Sequence, residues 1–167
     1  MRRLTIALGA LLTCHSPAYA APPEPCENDR QAAMLRALNN ARSEARQCGE
    51  QHFDAAPPLR WHCRLEAVAR AHSSDMAKHD FISHQSTTGQ KLYERIRSQG
   101  YAPRAWGENL AAGQQYLVDA LNGWLESPQH CRNLMQAKFT QVGGARGETT
   151  VSEYRWFWTV VFATPDR

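Results

Sequence analysis

Trp156-Phe157-Trp158-Thr159-Val160-Val161-Phe162-Ala163 is the stretch that decides the architecture. Trp156, Trp158, Val160 and Phe162 alternate with Phe157, Thr159, Val161 and Ala163, and both sets are apolar towards the end of the run. A strand with one face in water alternates apolar with polar residues; one apolar on both sides is covered on both. The strand is expected over 153–164, with a second over 140–145 and a third over Trp106 to Ala111. The remaining chain carries a helical period. Met34, Leu35, Leu38, Ala41 and Ala45 mark a helix over 29–47 that Cys48-Gly49 ends, and Leu65, Val68, Ala69, His72 and Met76 mark one over 63–79. A third helix, capped by Thr87 or Thr88, carries Leu92, Tyr93 and Ile96 and stops at Gly100. A fourth spans 114–126 through Leu117, Val118, Leu121, Trp124 and Leu125. Ser127-Pro128 then restarts the chain, because Ser suits an N-cap and Pro the first helical position, giving a short helix over 128–136. The sum is an α+β fold, a three-layer α-β-α sandwich around a small, mainly antiparallel sheet.

The beginning of the chain reads as an export signal. Arg2 and Arg3 precede a short apolar run, Leu4 to Leu12, and Ala18-Tyr19-Ala20 is a small-x-small cleavage site. The run is too short to span about 30 Å of hydrocarbon, so no transmembrane anchor is expected. Thr13 before Cys14 departs from a lipidation signal. Residues 1–20 are thus a signal peptide, 21–28 a Pro-rich tether, and 29–167 one domain, secreted or periplasmic and expected as a monomer. The leader holds two of the nineteen Lys and Arg and none of the sixteen acids, so the rest is nearly neutral. That balance excludes the basic field a nucleic-acid partner requires. Outside the leader stand Cys26, Cys48, Cys63 and Cys131. In an oxidising compartment four cysteines read as two disulfides with three arrangements. The Pro57-Pro58 loop between Cys48 and Cys63 favours Cys48–Cys63, leaving Cys26–Cys131; no C-x-x-C spacing suggests a cysteine-bound metal.

Asn39 to Arg42, Leu59 to Leu65, Ser83-His84, Gly107 to Leu110, Ser127 to Leu134, Phe139 to Gly143 and Trp158 to Phe162, spread from about residue 34 to 163, together resemble the CAP superfamily, or SCP domain, of cysteine-rich secretory proteins, antigen 5 and plant pathogenesis-related proteins, in its bacterial type. Asn39-Asn40-Ala41-Arg42 is similar to the family's N-x-x-R, and Leu59-Arg60-Trp61 with Leu65 to its L-x-W-x-x-x-L. Ser83-His84 and Gly107-Glu108-Asn109-Leu110 resemble its S-H and G-E-N-[LI]. Ser127-Pro128-Gln129-His130-Cys131-Arg132-Asn133-Leu134 is similar to the bacterial S-P-x-H-R-x-N-[IL], from which it departs at Cys131. Phe139 to Gly143 and Trp158 to Phe162 resemble the last two strands.

The resemblance implies the same α-β-α sandwich and a central cleft of two His and two Glu that holds zinc in some members. By motif the cleft residues are His84, Glu108 and Glu126; Phe157 stands where the second His would be, and His130 is its replacement. Two imidazoles and carboxylates make a sensible Zn2+ site, with His84 and His130 as ligands and Glu108 or Glu126 as catalytic base. His130, in the first turn of its helix, is expected neutral. Ser127-Pro128 separates Glu126 from His130, so the two are not an i,i+4 pair. His72 reads as a core histidine, and His52, His62 and His79 as surface. Ser83, Ser86 and Ser127 lack a nucleophile elbow, and Trp106, Trp124, Trp156 and Trp158 read as core. Two functions follow from the resemblance. One is an extracytoplasmic binding module taking a lipid, peptide or cell-envelope component in the cleft. The other is a zinc-assisted, peptidase-like hydrolase.

Overall fold

A computed structural model describes residues 28–166; the expected signal peptide, most of the expected tether, Cys14 and Cys26 lie outside the described residues. The order is α1 (Asp29–Arg42), β1 (Arg46–Cys48), β2 (Gln51–Phe53), β3 (Arg60–Trp61), α2 (Cys63–His79), α3 (Leu92–Ser98), β4 (Pro103–Ala112), α4 (Leu117–Glu126), α5 (Pro128–Met135), β5 (Gln141–Glu148) and β6 (Trp156–Pro165). The main sheet runs β3-β5-β6-β4, antiparallel except for the short β3–β5 pair. The expected sandwich is present, and β6 lies between β5 and β4.

The two faces of β6 sort the helices. Trp158, Val160 and Phe162 pack with Met34 and Leu38 of α1, Leu121 and Trp124 of α4, and Leu134 of α5. Val161 and Ala163 pack instead with Leu65, Val68 and Ala69 of α2 and Ile96 of α3. Each fully buried side chain in these layers stabilises the fold by about 1.5–3 kcal/mol. α2 lies so close to β5 that a Cβ on Gly143 would overlap the backbone of Glu66, and one on Gly147 that of Ser73. Glycine is the residue that permits this contact.

The helical run expected over 29–47 ends at Arg42, and residues 46–53 form the antiparallel hairpin β1–β2. The carbonyl of Arg42 accepts from the Ala56 N–H at 2.8 Å rather than continuing the helix. The Arg42 side chain is fully buried and donates to the carbonyls of Pro57, Leu134, Gln136 and Phe139. Burial lowers its pKa to about 10, still far above neutral pH. Asn39 both donates to the Leu59 carbonyl and accepts from its N–H, at 3.0 and 2.8 Å. The Asn39 and Arg42 pattern is therefore a structural tie between α1 and the 57–59 loop.

The hairpin also redirects the disulfides. Cys48 is bonded to Cys131 of α5, so neither Cys48–Cys63 nor Cys26–Cys131 forms. β1 packs against α5, which brings together two sulfurs 83 residues apart in sequence. Cys63 is disulfide-bonded as well. Thr87 and Thr88 occupy a turn before α3, whose N-cap is Lys91, and Gly100 ends the segment with a positive φ of 72°. Pro128 opens α5 as expected, although the Ser127 hydroxyl makes no capping bond.

Candidate functional site

Adjacent residues of a strand point to opposite faces, and Gly107-Glu108-Asn109 on the edge strand β4 uses that rule to gather two distant segments. Glu108 turns towards α3, where Arg95 Nη2 donates to both its oxygens at 3.1 and 3.0 Å. Asn109 turns to the other face and donates to the His130 carbonyl at 3.0 Å, while Asn133 of α5 donates to the Glu108 carbonyl at 3.1 Å. One motif thus fixes a carboxylate on one side of β4 and the start of α5 on the other.

His84 lies in the loop between α2 and α3. Two successive carbonyls pin that loop: Ser83 O accepts from His72 Nε2 at 2.7 Å, and His84 O accepts from Arg95 Nη2 at 2.9 Å. Further along, Asp75 accepts from the N–H and hydroxyl of Thr87. Burial pushes the Asp75 carboxyl up, but those bonds, together with the hydrogen bond and charge of His79, outweigh it and hold it below its ordinary value.

The pinned loop sets His84 Nδ1 2.8 Å from Glu108 Oε1. With a carboxylate as acceptor, Nδ1 carries a proton, so whenever the ring is neutral Nε2 keeps its lone pair. The imidazole is 57% exposed while the Glu108 side chain is 2% exposed, so a solvent-facing ring stands on a buried, doubly bonded carboxylate. His130 lies near enough for the His84 charge to act on it. Burial first, and that charge second, hold His130 below the usual histidine range. That shift favours the neutral ring, with burial and the His84 charge as its causes.

Of the four cleft candidates, then, His84 and Glu108 touch and His130 is their neighbour. Glu126 is exposed at the last position of α4 and forms no hydrogen bond or ion pair among the described residues. The chain turns between α4 and α5, as Ser127-Pro128 indicated. A catalytic zinc takes three protein ligands. Among the described residues no group of three or more His, Cys, Asp or Glu is placed to hold a metal ion. Glu108 already faces a guanidinium, and His84 offers only Nε2, so this donor set does not fit zinc held by His84, Glu108 and His130.

The other candidates resolve plainly. His72 is buried, as expected of a core histidine. His62 is half-buried rather than on the surface, because it caps α2 through Nδ1 and meets Tyr101 edge to face. His52 and His79 are exposed, each beside an aspartate. The hydroxyls of Ser83 and Ser86 accept turn N–H groups from Gln85 and Gln90. Trp124 and Trp158 are core, but Trp106 is 44% exposed and leans on Tyr93 with ring centroids 4.8 Å apart. Arg95, Asn109 and Asn133 escaped the sequence reading as organising residues; the signal for Arg95 was the need of a buried Glu108 for a cation.

Comparison with known proteins agrees with this geometry. The family model of the Cysteine-rich secretory protein family, CAP, matches residues 35–162. The Bacillus subtilis protein YkwD is 31% identical over 94 residues, 56% of this chain and 37% of its own length. The Bacillus subtilis membrane protein YlbC is 31% identical over 85 residues, 51% of this chain and 25% of its own. The chain therefore spans about a third or less of these curated relatives. Among solved structures, an extracellular SCP-domain protein from Bacillus anthracis superposes with a TM-score of 0.65 at 32% identity, over 80% of this chain and 39% of that one. An outer surface protein from Borrelia burgdorferi superposes with a TM-score of 0.62 at 22% identity, over 81% and 89%, a likeness of fold alone. With a family match over most of its length, and the family's S-H and G-E-N segments meeting at His84 and Glu108, the chain belongs to the cysteine-rich secretory protein (CAP) family.

Proposed function

We propose that the chain is an extracytoplasmic binding module that recognises a lipid, peptide or other cell-envelope component in the cleft beside His84. The observation that carries this reading is the exposed His84 ring standing on the buried Glu108 carboxylate. Arg95 and Glu108 spend no polar group on solvent; they fix the one ring that meets it. A neutral His130 adds a second ring able to donate or accept a hydrogen bond. The extracellular Bacillus anthracis relative supports a place outside the cytoplasm. So does the leader-like start of the sequence. Among the described residues no helix is long and apolar enough to cross a membrane.

The test is retention of the purified protein on cell-envelope material from the organism that makes it. The wild-type chain is expected to be retained, and His84→Ala and His130→Ala to weaken retention by at least about tenfold, or 1.4 kcal/mol, with unchanged unfolding midpoints. No retention, or retention indifferent to both substitutions, would overturn the reading. Metal analysis of the same samples tests the zinc-assisted hydrolase. Stoichiometric zinc in the wild-type chain, lost in both variants, would put that activity in its place.

A further inference from the structure

Trp106 on β4 and Tyr93 on α3 lie in contact, their ring centroids 4.8 Å apart and their planes 42° from parallel. Both stay open to water, 44% and 43% exposed. The indole N–H and the phenol hydroxyl bond to no other described residue. One exposed aromatic residue is ordinary on a protein surface, but two in contact form an apolar platform with polar tips. Glu108 is two positions along β4 from Trp106, so it points to the same face about 7 Å away. His84 stands on that carboxylate at 2.8 Å, with its ring exposed. The imidazole and the aromatic pair therefore open onto one stretch of surface.

The surroundings select the occupant. Between positions 91 and 107 the exposed charged side chains are Lys91, Arg97 and Arg104 against one carboxylate, Glu94. Glu94 already accepts from the Lys91 N–H at 2.6 Å. Arg97 lies one turn from Tyr93 on α3 and forms no ion pair among the described residues. The patch is thus both apolar and cationic, and it complements an anion that carries a flat apolar face. An alkyl chain gains by leaving water on every side, and half-open rings cover only one side of it. An extended peptide would add to the free edge of β4, but the Glu108 and Leu110 carbonyls there already accept from Asn133 and Trp124. A pyranose meets both demands. Its C–H face stacks on an aromatic ring, its hydroxyls stay wet, and one of them can donate to Nε2 of His84.

We infer that Trp106 and Tyr93 are the stacking platform of the His84 site, and that its ligand is a saccharide bearing a carboxylate, which Arg97 meets. This inference rests on the binding-module reading and names the ligand class within it.

The experiment follows the Tyr93 and His84 ring resonances of the full chain by NMR. N-acetylmuramic acid, trigalacturonate, the methyl ester of trigalacturonate and a triglutamate peptide are titrated separately. One or both acidic sugars should shift those resonances saturably in the millimolar range, and Trp106→Ala should weaken that binding by at least about tenfold. The methyl ester, and the acidic sugar on Arg97→Gln, should each bind about threefold more weakly, the worth of one exposed ion pair. Four results overturn the proposal: saturation by triglutamate but by neither acidic sugar; saturation by no probe; acid and ester binding equally; or sugar binding unchanged in Trp106→Ala. Retention on cell-envelope material separates this failure from the wider one. Retention weakened by His84→Ala but untouched by Trp106→Ala defeats the saccharide platform alone, whereas retention indifferent to His84 and His130 defeats the binding module itself.

Discussion

Arg95 holds both carboxylate oxygens of Glu108 through a single nitrogen, Nη2, and the same nitrogen reaches the carbonyl of His84. Its side chain is 7% exposed and that of its partner 2%, so this is a buried ion pair with a third bond to the loop it organises. Breaking such a pair from one side leaves an uncompensated charge, which destabilises by about 3–5 kcal/mol, whereas replacing both partners by apolar residues is often close to neutral. Arg95→Met should therefore lower stability in urea by about 3 kcal/mol, and Arg95→Met with Glu108→Leu should recover much of the loss. A loss in the double variant equal to the sum of the two single losses would mean that the pair is not coupled.

Acid should destabilise the fold through its buried rings. His72 is held below the ordinary 6.5 first by burial and then by Arg95, with Glu108, Ser83 O and Asp75 opposing; His130 is lowered by burial and by His84. Both favour the neutral form in the folded state, so below pH 6.5 the unfolded chain binds more protons than the folded one. Their contribution is intact above 6.5 and is lost as pH falls through the lower folded values. The unfolding midpoint should drop between pH 7 and 5, and His72→Gln should flatten that slope.

The Cys48–Cys131 bond closes a long loop, with a sequence separation of 83. On the loop-entropy estimate its removal by Cys48→Ala with Cys131→Ala destabilises by about 4 kcal/mol. Cys63 is also bonded, and with Cys48 and Cys131 joined to each other only Cys14 and Cys26 remain within the chain. The expected cleavage after Ala20 would remove Cys14, and peptide mapping of the non-reduced exported protein should then show Cys26 linked to Cys63. A Cys14–Cys63 peptide would contradict both the pairing and the cleavage site.

Gly143 is the strictest packing position. Any Cβ there meets the backbone of α2 at Glu66, not a movable side chain. Gly143→Ala should cost more than about 4 kcal/mol and leave little soluble protein. Gly123, on α4, has open space around its missing Cβ, so Gly123→Ala should instead be neutral or stabilising by about 1 kcal/mol.

Much of this fold is legible in the chain because local signals agree with burial. The two apolar faces of β6, the periodic stripe over 63–79 and the Pro128 restart each survive in the structure at nearly the expected boundaries. The β1–β2 hairpin is hidden, since residues 43–47 extend a helical pattern that tertiary bonds end, the Ala56 N–H taking the Arg42 carbonyl and Arg46 Nε the Ala41 carbonyl. The cysteine pairing is hidden for the same reason: proximity along the chain favoured Cys63, but the hairpin carries Cys48 to α5. At the site, His84 and Glu108 are readable from motifs. Arg95 is not, because a charged residue in a seven-residue helix looks solvated until a carboxylate thirteen positions on is found beneath it. Trp106 misleads in the opposite sense, an aromatic residue on an edge strand that stays in water beside Tyr93.

The claim beneath all of this is that Glu108 fixes the tautomer of His84 and so presents Nε2 to solvent. Long-range 15N–1H NMR of the imidazole ring at pH 8 measures it directly. The account predicts His84 protonated at Nδ1 with a bare Nε2, and a mixture of tautomers in Glu108→Leu with Arg95→Met. A wild-type His84 protonated at Nε2, or a tautomer that the double substitution leaves unchanged, would contradict it.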